Sequence, residues 1–151
     1  MQSQTPPTLT DAETATLRSL VAAMLPASAE HGVPGADDPT IFADLLASLG
    51  RDTADVQQAL VTLARFSPAP FAELAEPRRA ERAAAFNAAP DAATLTLQRL
   101  LLLCYYRDDR VMRALGQEPR PPFPKGFTVE QGDWALLDPV RRRAKLWRDA
   151  P

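Results

Sequence analysis

The sequence has one cysteine and one histidine among its 151 residues, and each scarcity closes off a class of chemistry. With Cys104 alone there is no internal disulfide framework, and no CxxC or CxxCH motif exists to hold zinc, an iron–sulfur cluster or covalent haem. His31 lies in a Gly/Pro loop without a nucleophile-elbow motif to complete a triad. With Asp37 and Asp38 it makes a poor start for a metal site, which needs several converging ligands, so it reads as a solvated loop residue. The six glycines are scattered, and neither GxGxxG nor a Walker pattern appears, so no nucleotide is expected in this chain. Long apolar runs are missing too. The longest, Leu100 to Tyr106, falls far short of the ~20 residues that span a bilayer, so no direct membrane insertion is expected. Residues 1–7 show no basic stretch leading into an apolar run. The expected location is therefore cytoplasmic, or periplasmic if a signal is removed or supplied by a partner.

What is present is the composition of a folded domain. Hydrophobic residues at 46% and charged residues at 24% argue against disorder, and the length suits one domain with its own core. The net charge of −2 conceals an asymmetry. Residues 1–98 carry 6 Lys+Arg against 12 Asp+Glu, and residues 99–151 carry 11 against 7. Such a dipolar layout orients a partner without implying nucleic acid.

The periodicity is helical throughout, with no internal repeat and no alternating run long enough for a sheet, so the expected class is all-α, a compact orthogonal bundle of about five to seven helices. Residues 1–9 read as a flexible arm. Thr10 and Glu13 have the spacing of a capping box, and Leu17, Leu20, Val21, Met24 and Leu25 follow at helical intervals up to Pro26. Asp38-Pro39 starts a second helix through Ile41, Phe42, Leu45, Leu46 and Leu49, closed by Gly50. A third begins near Thr53, with Val56, Ala59, Leu60, Leu63 and Ala64 on one face, and ends at Pro68 and Pro70. Pro77 interrupts the next stretch, predicting a short helical turn and then a surface helix over residues 78–87, its thin buried stripe made of Ala80, Ala83, Ala84 and Phe86. Pro90-Asp91 opens a helix through Leu103 and Cys104 that is apolar on nearly every side, as expected of an enclosed central helix. A short helix over 109–115 ends at Gly116.

The character changes after Gly116, so the helical domain is expected over 10–116 and a partner-binding segment over 117–151. Four prolines between Glu118 and Phe127 exclude regular helix and central strand and predict an extended course. A last helix is expected from Asp138-Pro139 through Trp147, with Arg141, Arg142, Arg143, Lys145 and Arg148 on its exposed sides. Cys104, inside the most apolar helix, reads as a small hydrophobe. Tyr105 and Tyr106 read either as amphipathic plugs at the end of a core helix or as partner contacts.

Three segments, in this order, resemble the gluconate 2-dehydrogenase subunit 3 family. Glu13 to Pro26, followed by Gly32-Val-Pro34-Gly35-Ala, is similar to an opening helix running into a proline loop, and Ile41-Phe-Ala-Asp44-Leu45-Leu46 to a second helix. The most specific is Leu103-Cys-Tyr105-Tyr106-Arg-Asp108-Asp109-Arg-Val111-Met-Arg-Ala-Leu115-Gly116 with the Pro-rich stretch to Phe127. The resemblance implies a non-catalytic small subunit that binds, stabilises or matures the large FAD-containing subunit of a glucose-methanol-choline type alcohol or sugar dehydrogenase. The expected assembly is a hetero-oligomer with FAD in the partner and none in this chain. Expected contacts are Tyr105, Tyr106, Phe123, Phe127, Trp134, Arg142 and Trp147, since aromatics and arginine dominate binding hot spots. The alternative is a stand-alone helical binding or regulatory module that contacts nucleic acid through the basic C-terminal helix.

Overall fold

A computed structural model of the chain describes residues 8–66, 69–145 and 148. Among the described residues there are seven α-helices, three short 3-10 turns and no β-strand. The chain forms two units, one up to Pro119 and one from Arg120 onward.

In the first unit, α1 (Asp11–Met24) opens on the expected capping box. Thr10 Oγ1 accepts from the Glu13 N–H at 3.2 Å, and the Glu13 carboxylate accepts from the Thr10 N–H at 2.7 Å. In α2 (Pro39–Ser48) Asp38 caps the Thr40 N–H at 3.0 Å, with proline at the first helical position, where a missing donor costs nothing. A 3-10 turn at Gly50–Asp52 leads directly into α3 (Thr53–Ala64). After a second 3-10 turn (Phe71–Glu73) comes α4 (Glu76–Ala88). Pro77 therefore does not interrupt this helix: it sits in the first turn, where no intrahelical bond is lost. The buried side of α4 is narrower than its alanine pattern suggested, with Ala83 and Phe86 buried but Ala80 and Ala84 exposed. α5 (Ala92–Tyr106) is capped by Asp91, whose carboxylate accepts from the Thr94 N–H at 2.7 Å. α6 (Asp109–Ala114) follows, and Gly116 adopts φ +72°, the left-handed position that ends a helix best without a Cβ.

The core joins these helices. α5 packs most extensively on α3 and next on α2, while α1 packs on α4 and the Phe71–Glu73 turn. Leu17, Leu20, Leu45, Leu63, Phe86, Leu97 and Leu101 are essentially inaccessible to solvent at its centre. Burial at that depth gives roughly 1.5–3 kcal/mol per large side chain, the main force holding a unit whose single cysteine allows no internal disulfide.

The second unit contains a 3-10 turn at Trp134–Leu137 and a single helical turn, α7 (Asp138–Arg141). Of the expected helix from 138 to 147, the described residues form one turn, since no residue of α7 is buried to offset the cost of nucleating a longer helix; residues 146 and 147 lie outside the described residues.

Candidate partner-binding surfaces

The charged motif at the end of α5 is engaged by its own chain. Arg107 donates to both oxygens of Asp44 at 2.5 Å each and to Ser48 Oγ at 2.6 Å, linking the end of α5 to α2. Arg110 donates to both oxygens of Asp38, at 2.7 and 3.1 Å, and also to Asp108, which caps α6. The Arg110 guanidinium holds the carboxyls of Asp38 and Asp108 below the usual carboxylate range. Its own pKa is raised by those same bonds, as that of Arg107 is by Asp44. One turn or more earlier, Arg99 reaches Asp52 at 2.5 Å and Thr96 reaches Asp55 at 3.4 Å. The basic residues of 99–110 thereby neutralise acids of 38–52 within one unit. The charge asymmetry then falls at the unit boundary: residues 1–119 carry 10 Lys+Arg against 15 Asp+Glu, and residues 120–151 carry 7 against 4.

Among the described residues no group of three or more His, Cys, Asp or Glu is placed to hold a metal. His31 is exposed in its turn, where its backbone N–H donates to Ser28 Oγ at 3.2 Å. Cys104 is 1% exposed, and burial pushes its thiol pKa up, the reverse of what a nucleophile needs. A concavity of about 610 Å³ is lined mainly by apolar groups, among them Leu60, Val61, Leu63 and Phe71. Its one carboxylate, Glu13, is already committed to the capping box. No described helix is long and apolar enough to cross a membrane.

The two tyrosines part company. Tyr105 is buried, and its hydroxyl donates to the Pro34 carbonyl at 3.0 Å, tying α5 to the Gly/Pro loop in the manner of a plug. Tyr106 is half exposed and stands edge-on to Tyr105, with ring centres 5.3 Å apart. It belongs to an apolar stripe that the sequence did not reveal. Leu95, Leu102 and Leu103 are also exposed on α5, so this helix is not enclosed on all sides. Arg99 lies within the same stripe, its guanidinium drawn aside by Asp52. Beside Leu102 is a hollow of about 190 Å³ lined by Met24, Leu25, Asn87, Gln98 and Leu101.

In the second unit no described residue is buried. Phe123, Phe127, Val129, Trp134, Leu136, Leu137 and Val140 are all exposed. Trp134 opens its 3-10 turn beneath the Asp133 cap, and Arg142 is exposed just after α7. Trp147 lies outside the described residues.

No protein-family model matches this chain, and neither a curated protein nor a solved structure does.

Proposed function

We propose that the chain is the non-catalytic small subunit of an FAD-dependent alcohol or sugar dehydrogenase of the glucose-methanol-choline type, binding and stabilising or maturing the catalytic subunit. The observation that carries the binding part is the second unit, with seven large apolar side chains exposed and none of its described residues buried. Apolar surface of that extent is a feature of a polypeptide completed by another. The stripe on α5 supports the same reading from the first unit. The nature of the partner rests on the resemblance of residues 13–127 to the gluconate 2-dehydrogenase subunit 3 family. The chemistry belongs to the FAD partner in this reading, consistent with a committed Glu13, a buried Cys104 and a solvated His31.

The test is co-expression with a large FAD-dependent dehydrogenase of the glucose-methanol-choline type from the same genome, then size exclusion with flavin absorbance followed. Co-elution of this chain with a yellow protein whose soluble yield or activity depends on it is the expected result. Separate elution, with the flavoprotein equally soluble and active alone, overturns the reading. Salt-dependent retention of the isolated chain on DNA would favour a nucleic-acid module instead.

A further inference from the structure

Residues 120–127 form a closed turn with a division of labour among its aromatic residues. Pro121 and Pro122 restrict the backbone, and the Gly126 N–H donates to the Pro122 carbonyl, closing the turn around Phe123, Pro124 and Lys125. Gly126 completes it at φ +69°, a backbone region that residues with a Cβ rarely adopt. The Arg120 side chain then spans the turn. It donates to the Pro121 carbonyl at 3.2 Å and to the Gly126 carbonyl at 2.5 Å, and its guanidinium lies 4.2 Å from the centre of the Phe127 ring. Phe127 is thus engaged as the platform of a cation–π contact. Phe123 is treated differently. It is 84% exposed, the most exposed large apolar side chain among the described residues, and it projects from the turn that Arg120 and Phe127 hold shut.

We infer that Phe123 is the anchor by which this chain docks into its partner, and that Arg120 and Phe127 are positioning residues that hold it out. The partner feature that fits is an apolar pocket of aromatic size set in an acidic surface, because residues 120–151 carry 7 Lys+Arg against 4 Asp+Glu. An anchor fixed before binding loses less freedom on docking than one on an open chain. The inference rests on the small-subunit reading and places that pocket on the flavoprotein.

The experiment is biolayer interferometry of the full-length chain on the immobilised co-expressed flavoprotein. Wild type, Phe123→Ala, Arg120→Ala, Arg120→Lys and the Arg120→Ala/Phe123→Ala pair are compared after their thermal midpoints are shown to agree. Phe123→Ala is expected to weaken binding on the order of thirty-fold, the loss typical of a hot-spot residue. Arg120→Ala is expected to weaken it roughly five- to tenfold, with Arg120→Lys between it and wild type. In the Phe123→Ala background the Arg120→Ala change should add less than about twofold, since Arg120 acts through Phe123. Wild-type binding with Phe123→Ala unchanged overturns the anchor and leaves the small-subunit reading standing. Additive losses in the pair overturn the positioning role and make Arg120 a contact. No binding by wild type overturns the subunit reading and, with it, a flavoprotein pocket for Phe123.

Discussion

Arg110 grips Asp38 through both carboxylate oxygens, at 2.7 and 3.1 Å, although 72 residues separate them in sequence. The same carboxylate caps α2, so one aspartate serves a helix end and a tertiary contact together. Asp38→Ala should destabilise the first unit by about 1 kcal/mol through the cap. Arg110→Ala should cost less, because its guanidinium is partly solvated and such pairs are worth under ~1 kcal/mol. Urea denaturation of the two single variants and the double variant checks this: the double should fall short of the sum of the singles.

The same contact sets an acid limit. The carboxyls of Asp38 and Asp108 are held below their ordinary range by Arg110, so they bind protons more readily unfolded than folded. Their contribution is full above the unfolded carboxylate value, about 3.9, and is lost as pH falls through the lower folded values. The urea midpoint should therefore gain nothing from this pair between pH 5 and 8 and lose its contribution below about pH 4. Arg110→Ala should flatten that acid loss. An equally steep loss in the variant would show that other carboxylates dominate it.

Tyr105 and Tyr106 give a second contrast. Tyr105→Phe removes the hydroxyl that reaches the Pro34 carbonyl and should cost about 1 kcal/mol, read as a lower thermal midpoint. Tyr106→Phe should leave the midpoint nearly unchanged, because that ring is half exposed. Equal shifts for the two would contradict the assignment of Tyr105 as the plug.

These tyrosines also mark where reading the sequence stops. Local signals were legible: Thr10 with Glu13, Asp38 with Pro39 and Gly116 each act within one turn of chain, so their residue types suffice. α5 was legible as a helix but not as half exposed. A run such as Leu100-Leu-Leu-Leu-Cys104 records that apolar surface must be covered, without recording whether this chain or another covers it. The clamps of 99–110 on 38–52 were hidden for a related reason, since an arginine has no periodicity that names a distant aspartate. The turn at 120–127 reads from its prolines as irregular, but only the guanidinium over the Phe127 ring separates the platform from the projecting Phe123.

The α5 stripe predicts how the isolated chain behaves. Leu103→Glu places a charge among Leu95, Leu102 and Tyr106 without disturbing the core, so its unfolding free energy should stay within about 0.5 kcal/mol of wild type. Sedimentation velocity over rising concentration should show wild type self-associating and the variant remaining monomeric. Identical sedimentation of the two would remove the stripe from any account of association.

Cys104 reports on the corner that Arg107 closes. Its sulfur is 3.6 Å from Arg107 Nη2 and almost wholly shielded, so a thiol reagent in native buffer must wait for the corner to open. Labelling by a chromogenic disulfide should be slow in the folded protein and immediate in denaturant. Burial also raises the thiol pKa, so little thiolate is present to react even when a reagent approaches. Arg107→Ala releases Asp44 and Ser48 together and uncovers one side of the sulfur, so native-state labelling should accelerate several-fold while global stability falls by under ~1 kcal/mol. Acceleration no larger than the change in global unfolding accounts for would mean that the thiol is exposed only by complete unfolding, and that Arg107 does not guard the corner.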